Sequence, residues 1–363
     1  MKIRLLLLLV GFITISGFAF RKLKWTEEEL KAQKVEIGRQ LFFDKALSNP
    51  DGQSCTVCHA PKTSFSDPNH VAVSEGMLDG FFVNRNSQTL TYTSYTPPLA
   101  YDAERGTWYG GFFWDGRSSS LQHQLSGPFF NIAEMNNSDT TMLVSELKNA
   151  PYYKLYKSIY GKVKDETIAY NNIIESIALF EGSEYLNEFS SKYDYWLQGK
   201  AIFNQQEEKG RILFDARCAS CHSSAPQPTS GKMLFTDYGY HNLGLPRNED
   251  NPFYTTDSVV NPLGKNAIDL GLGAVVKDEK QNGKFRTPSL RNVEYTSPYF
   301  HNGYFSSLKE AVHFINTRND GHYALPEVKE NIETGRIGTL HLSEADEQAI
   351  VAFLLTLSDG YEL

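Results

Sequence analysis

Two five-residue stretches of this chain, Cys55-Thr56-Val57-Cys58-His59 and Cys218-Ala219-Ser220-Cys221-His222, combine residue types and spacing that point to one chemistry. Two thiols three positions apart can each form a thioether to one vinyl group of a haem, and the adjoining imidazole can reach the iron from the proximal side. The chain has four cysteines in 363 residues, so the two motifs use every thiol. A single zinc on both pairs is disfavoured, because paired zinc ligands usually lie roughly a dozen or two residues apart and these pairs lie 163 positions apart. Disulfide or dithiol redox chemistry would leave the histidine at the same offset in both copies unexplained. The expectation is two covalently bound c-type haems, with His59 and His222 as proximal iron ligands.

The elements that must position these motifs are also partly duplicated. Gly38-Arg39-Gln40-Leu41-Phe42-Phe43-Asp44 precedes the first motif and Gly210-Arg211-Ile212-Leu213-Phe214-Asp215 the second. Each closes a predicted helix. The first helix opens at Thr26-Glu27-Glu28-Glu29 with a capping-box pattern, and the second opens near Asn204 with Glu207 three residues on. The copies then diverge, with 17 positions from Gly38 to Cys55 and 8 from Gly210 to Cys218. Helical periodicity recurs over residues 141–160, broken at Pro151, over 167–180, and from Ser343 onward, where Glu344 and Asp346 suit a first turn. Strand alternation is scarce. Residues 61–120 and 223–300 are long and rich in Gly, Pro, Asn and Tyr, and loops of that length in a compact domain are usually functional. The expected fold is mostly α: two cytochrome c-like haem domains with long irregular loops, an N-terminal one over 21–200 and a C-terminal one over 201–363.

Residues 1–20 read as a secretory signal peptide. Lys2 and Arg4 give a basic start, Leu5 to Ile15 an apolar core, and Ser16, Gly17 and Ala19 a small-residue end. This implies a periplasmic location, with membrane anchoring by an uncleaved leader as the alternative, and it agrees with haem attachment outside the bacterial cytoplasm. The formal net charge of −8 argues against nucleic acid as a partner.

Further residues carry a resemblance. Trp114-Asp115-Gly116-Arg117, Leu121-Gln122-His123-Gln124, Gly127-Pro128 and Glu134-Met135 resemble the active-site stretch of the bacterial di-haem cytochrome c peroxidase and MauG family. Pro288-Ser289-Leu290-Arg291-Asn292-Val293, Pro298-Tyr299-Phe300-His301-Asn302-Gly303, Ser307-Leu308, Glu310-Ala311-Val312 and Leu342-Ser343-Glu344-Ala345 match the same family. The resemblance spans nearly the whole chain after the leader. It implies reduction of hydrogen peroxide to water at the haem on His59. Electrons from a small redox protein, a cytochrome c or cupredoxin, would enter at the haem on His222 and pass by way of Trp114. Glu134 would be the acid/base and Gln124 the group that holds peroxide, although a Glu taken alone is more often a solvated surface carboxylate. Asn86, Thr296 and Pro298 fit the family's calcium site between the haems, and oxygen donors suit that ion. His301 would lie beside the second haem. A homodimer is a further implication. The alternatives are a MauG-like oxidase of a partner protein and a di-haem electron carrier; the presence of both Glu134 and Gln124 speaks against the carrier.

One position departs from the family. Its members carry a Met, or in the MauG branch a Tyr, as sixth ligand of the second haem, and counting along Ser307–Phe314 puts Ile315 there. Isoleucine cannot bind iron. His313 and Met233 are the remaining candidates. On the first haem, His70 is a candidate distal ligand, with an exposed loop histidine as the competing reading.

Overall fold

The structure is a computed structural model that describes residues 25–363; the leader expected at residues 1–20 lies outside the described residues. The first half contributes helices α1 (Glu27–Phe43), α2 (Leu121–Phe130), α3 (Thr140–Asn149), α4 (Tyr153–Tyr160) and α5 (Glu166–Glu181). The second contributes α6 (Lys192–Leu197), α7 (Gln205–Arg217), α8 (Leu272–Val276), α9 (Leu308–Thr317) and α10 (Glu344–Leu355). Among the described residues strand is confined to two small antiparallel pairs: β1 (Ala100–Asp102) with β2 (Thr107–Tyr109), and β3 (Tyr240–His241) with β4 (Phe285–Arg286). The mostly α expectation holds, and the long segments between helices are irregular. No helix among the described residues is long and apolar enough to cross a membrane.

The helix starts follow local chemistry. Thr26 and Glu29 on α1, Asn204 and Glu207 on α7, Ser307 and Glu310 on α9, and Ser343 and Asp346 on α10 each form a reciprocal cap in which side chain and backbone satisfy each other's orphan N–H groups. Pro151 falls between α3 and α4, where its missing N–H interrupts the helical pattern.

The repeated lead-in has a packing cause. α1 crosses α5 at Gly38, where an added Cβ would stand 1.8 Å from the Ser176 carbonyl oxygen, and α7 crosses α10 at Gly210, where it would stand 1.8 Å from that of Ala349. Only glycine permits such an approach. Four residues after each glycine a phenylalanine is buried, and each joins a triad of rings. Phe42 meets Phe180 at 5.3 Å and Phe65 at 5.8 Å; Phe214 meets Phe353 at 5.1 Å and Phe235 at 5.9 Å. Burying one phenylalanine contributes roughly 1.5–3 kcal/mol, so each triad is a principal anchor of its half. Around them lie two cores, one holding Ile37, Leu41, Leu143, Leu147, Ile173 and Ile177, the other Phe314, Ile350, Leu354 and Leu357.

α6 belongs with the second core. Tyr193 packs into it, and the buried Asp194 receives two hydrogen bonds of 2.8 Å from Arg291. The change of core falls between Leu186 and Tyr193. Composition gave no marker there, because α6 is tied to its core by a partner about a hundred residues away.

Candidate functional site

Each CXXCH forms a single tight turn. The His59 amide donates to the Cys55 carbonyl and the His222 amide to the Cys218 carbonyl, both at 2.9 Å, which brings both thiols and the imidazole of each motif together. His59 Nδ1 lies 3.0 Å from the Phe65 carbonyl oxygen and His222 Nδ1 lies 3.0 Å from that of Phe235. With Nδ1–H donating there, Nε2 is left as a lone pair, the form an iron ligand needs. Burial lowers both imidazoles below their ordinary value, which keeps that lone pair free of a proton. The phenylalanines that supply the carbonyls are the third members of the two ring triads and adopt positive φ, 57° and 52°. The duplication therefore extends from helix crossing to ligand orientation. Burial pushes the Cys58 and Cys218 thiols up to about 12. Thiols so raised make poor thiolates, and this disfavours a dithiol redox function.

The second motif opens on a cavity, partly open to solvent, lined by Cys218, Cys221 and His222. Its walls fit a haem. Leu308, Ala311, Val312 and Ile315 from α9, with Leu340 and Leu342, make an apolar side. The Arg286 guanidinium, on a residue 6 % exposed, has no acidic partner among the described residues, and its Nε donates to the Phe113 carbonyl at 3.3 Å; a haem propionate would supply the missing anion. Burial lowers its pKa, as an unpaired guanidinium requires. His301 also lines the cavity, stacked on Phe285 at 3.5 Å between centroids, with Nε2 lacking a hydrogen-bond partner. Burial pushes it down to about 3, so it is a neutral donor or acceptor. The pattern Arg286-Thr287-Pro288 carried no signal for this role, since only the fold shows that Arg286 is buried and unpaired.

Trp114 stands where the halves meet. It is buried and lines this cavity, its indole N–H donates to the Asn86 carbonyl at 2.9 Å, and its own carbonyl accepts from the Arg286 amide at 2.8 Å. Asn86, Thr296 and Pro298 line the same cavity. The Asn86 amide nitrogen donates to the Val71 and Ala72 carbonyls at 3.3 and 3.2 Å, which leaves Oδ1 available to accept a hydrogen bond or bind a cation. Beside them runs a buried charge relay that the motif reading passed over. Arg85 holds Asp269 by two bonds of 2.6 and 2.7 Å and Asp115 by one of 2.6 Å, and Asp115 in turn meets Arg117 at 3.0 Å.

Glu134 lies near the first motif, close enough to act electrostatically on Cys55 and Cys58. It is half-buried and accepts from the Asn131 amide at 2.6 Å. Burial raises its pKa, and the Asn131 bond and the Arg117 charge offset only part of that. Arg117, stacked over Phe113 at 3.5 Å, is thus a second charged group on this side that the sequence reading gave no role. Gln124 sits half-buried on α2, its side-chain amide without a hydrogen bond among the described residues.

The remaining candidates are placed differently. His70 is exposed and turned to the second half, with Nδ1 3.0 Å from the Ser297 carbonyl and 2.9 Å from its hydroxyl. His313 points away from the second cavity, half exposed, with Nδ1 2.9 Å from Glu347. Met233 is packed in the second core, its sulfur 3.5 Å from the Tyr193 hydroxyl. Neither lines the cavity, whereas Ile315 does. Both were offered as replacement ligands, and helix phase explains the first: two positions from Ile315, His313 faces about 200° away.

A motif of this kind in each of two helical halves, meeting at one buried tryptophan, defines a di-haem protein of the cytochrome c type. Comparison with known proteins bears this out. Residues 32–202 match the family model for di-haem cytochrome c peroxidases. The methylamine utilization protein MauG of Paracoccus denitrificans is 35% identical over 89% of this chain and 88% of its own. Cytochrome-c peroxidase IdrP2 of Pseudomonas sp. (strain SCT) is 29% identical over 89% and 81%. Among solved structures, the di-haem peroxidase BthA of Burkholderia thailandensis superposes with a TM-score of 0.77 at 30% identity, covering 90% of this chain and 86% of its own. The chain belongs to the di-haem cytochrome c peroxidase family and is an oxidoreductase.

Proposed function

We propose that the chain reduces hydrogen peroxide to water with electrons from a small redox protein, a cytochrome c or cupredoxin, in the periplasm. The observation that carries this is Glu134 beside the first motif: a carboxyl whose pKa burial raises, held by Asn131 and facing the Arg117 charge. Covalent haems on Cys55, Cys58 and His59 and on Cys218, Cys221 and His222 would supply the redox chemistry. Glu134, held by Asn131, would carry the proton that passes between the peroxide oxygens. Burial raises its pKa toward the working pH, where a proton carrier is most effective. The free amide of Gln124 would orient peroxide, and Arg117 would favour negative charge developing there. Trp114, fixed at both its indole and its carbonyl, lies where an electron crossing between the halves would pass. Asn86 Oδ1 with the Thr296 and Pro298 carbonyls would hold a calcium ion at this junction, in keeping with its oxygen preference.

Glu134→Gln tests the assignment. The variant should keep both haems and lose turnover by roughly 10²–10⁴-fold, the usual contribution of one positioned acid/base. A loss below about tenfold with an artificial donor would remove Glu134 from this role. Oxidation of a partner protein is the second reading, favoured by the 35% identity to MauG. It requires a peroxide-treated protein that stays oxidised without donor until the partner is added.

A further inference from the structure

The apolar wall that α9 presents to the second cavity has a consequence for ligand binding. Leu308, Ala311, Val312 and Ile315 face the cavity that holds His222, and none carries an atom able to bind iron. The helix is fixed in this rotation. Its N-terminus is capped by Ser307 and Glu310, Phe314 is fully buried, and Asn316 donates to Glu347 at 2.6 Å. His313 is held on the other side by the same Glu347 at 2.9 Å. A register shift that would bring His313 inward would have to break all of these.

Of the other Lewis bases that line the cavity, the Tyr299 hydroxyl donates to the Val293 carbonyl at 3.1 Å, and Glu327 accepts from the Asp269 amide and the Tyr254 hydroxyl, both at 3.3 Å. His241 Nδ1 lies 3.1 Å from Glu333, and its Nε2 has no hydrogen bond among the described residues and lies 3.9 Å from Asp237. His301 is likewise without a partner at Nε2; its ring lies flat on Phe285, which leaves that in-plane nitrogen free, so these two imidazoles are the protein bases that compete with an outside ligand.

We infer that α9 withholds a protein ligand from the haem on His222, and that Ile315 with its apolar neighbours forms a seat for a small uncharged ligand such as carbon monoxide or nitric oxide. This rests on the two-haem reading proposed above. The wall offers no hydrogen-bond donor and no charge, so an anion entering it would lose hydration without compensation, while a small neutral molecule loses little. The second haem would then be a binding site in its own right as well as a station for electrons.

Carbon monoxide is the probe, added to the fully reduced two-haem protein and followed by its absorption spectrum. Haem number is measured first by mass spectrometry. Fewer than two covalent haems sinks the di-haem reading itself, and two haems leave that reading intact whatever follows. Two carbon monoxide molecules per protein are expected, the second lost or weakened at least tenfold in Ile315→Met and retained in Ile315→Leu. Uptake of one molecule by the wild type, or of two with equal affinity by Ile315→Met, overturns the inference. Should Ile315→Met fail to load haem, resonance Raman spin-state markers of the reduced wild type decide alone: a six-coordinate low-spin second haem overturns the inference, and more so if His301→Leu abolishes it, because His301 would then be the ligand.

Discussion

Glu181 closes α5 with its carboxyl 1 % exposed and Oε2 without a hydrogen-bond partner. Burial pushes it up to about 8 from an ordinary value of 4.5. Between those two values the folded protein binds a proton that the unfolded chain does not. The stability associated with this group is therefore complete below about 4.5 and is lost as the pH rises through about 8. Glu181→Gln stays neutral throughout and should leave stability at pH 5 nearly unchanged. At pH 8 it should raise stability by something on the order of one to a few kcal/mol, since each pKa unit corresponds to about 1.4 kcal/mol. Denaturant unfolding of both proteins at the two pH values checks this, and an equal difference at both would show that Glu181 does not titrate as described. At this scale the two CXXCH motifs were fully legible, because their chemistry is local in sequence. Glu181, Arg286 and Arg85 were not, because what makes each unusual is the presence or absence of a partner more than fifty residues away.

The helices were legible where their ends and faces are written locally. The caps at Thr26, Asn204 and Ser343 stand at the starts the sequence predicts, and the apolar stripes of α5 and α10 face the two cores. What the repeated Gly-Arg lead-in meant was hidden, since the helices that Gly38 and Gly210 cross are supplied from 138 and 139 positions away by Ser176 and Ala349. Both glycines should resist the smallest enlargement. Gly38→Ala and Gly210→Ala each drive a methyl into a backbone carbonyl that cannot rotate aside. Each should cost at least the roughly 1–3 kcal/mol of an overpacked core, by similar amounts because the contacts are alike. Gly127→Ala is the control, a helical site where the nearest atom is 3.9 Å from the added carbon. It should be neutral or stabilising by up to about 1 kcal/mol. Thermal unfolding of the three variants decides, and two silent alanines at 38 and 210 would refute the crossing geometry.

The halves of the molecule are joined by charge as much as by apolar contact. Arg85 comes from the first half, 10 % exposed at its side chain, and is clamped between Asp115 of its own half and Asp269 of the second. Tyr92 and Asn292 add a second tie by both meeting Asp359, at 2.6 and 2.8 Å, and Trp114 lies between these links with its carbonyl on Arg286. Such a junction fixes the relative position of the two motifs, which matters if electrons are to cross at a constant rate. Burial alone would raise the Asp269 carboxyl, but the Arg85 guanidinium outweighs it and holds the group well below the usual carboxylate range. A depressed carboxylate contributes stability at every pH above its unfolded value, lost only as the pH falls through the folded one. Arg85→Met reverses that balance, leaving Asp269 buried without its guanidinium and Asp115 with Arg117 alone. The loss at pH 7 should be roughly 3–5 kcal/mol, the usual result of removing one partner from a buried pair. It should shrink toward pH 4, because in the variant burial raises the Asp269 carboxyl unopposed and protonation relieves it. Adding Asp269→Asn to Arg85→Met should recover part of the loss at pH 7 and little at pH 4. A difference between wild type and Arg85→Met that is the same at both pH values would mean that the junction is held by shape alone and that Arg85 only fills space.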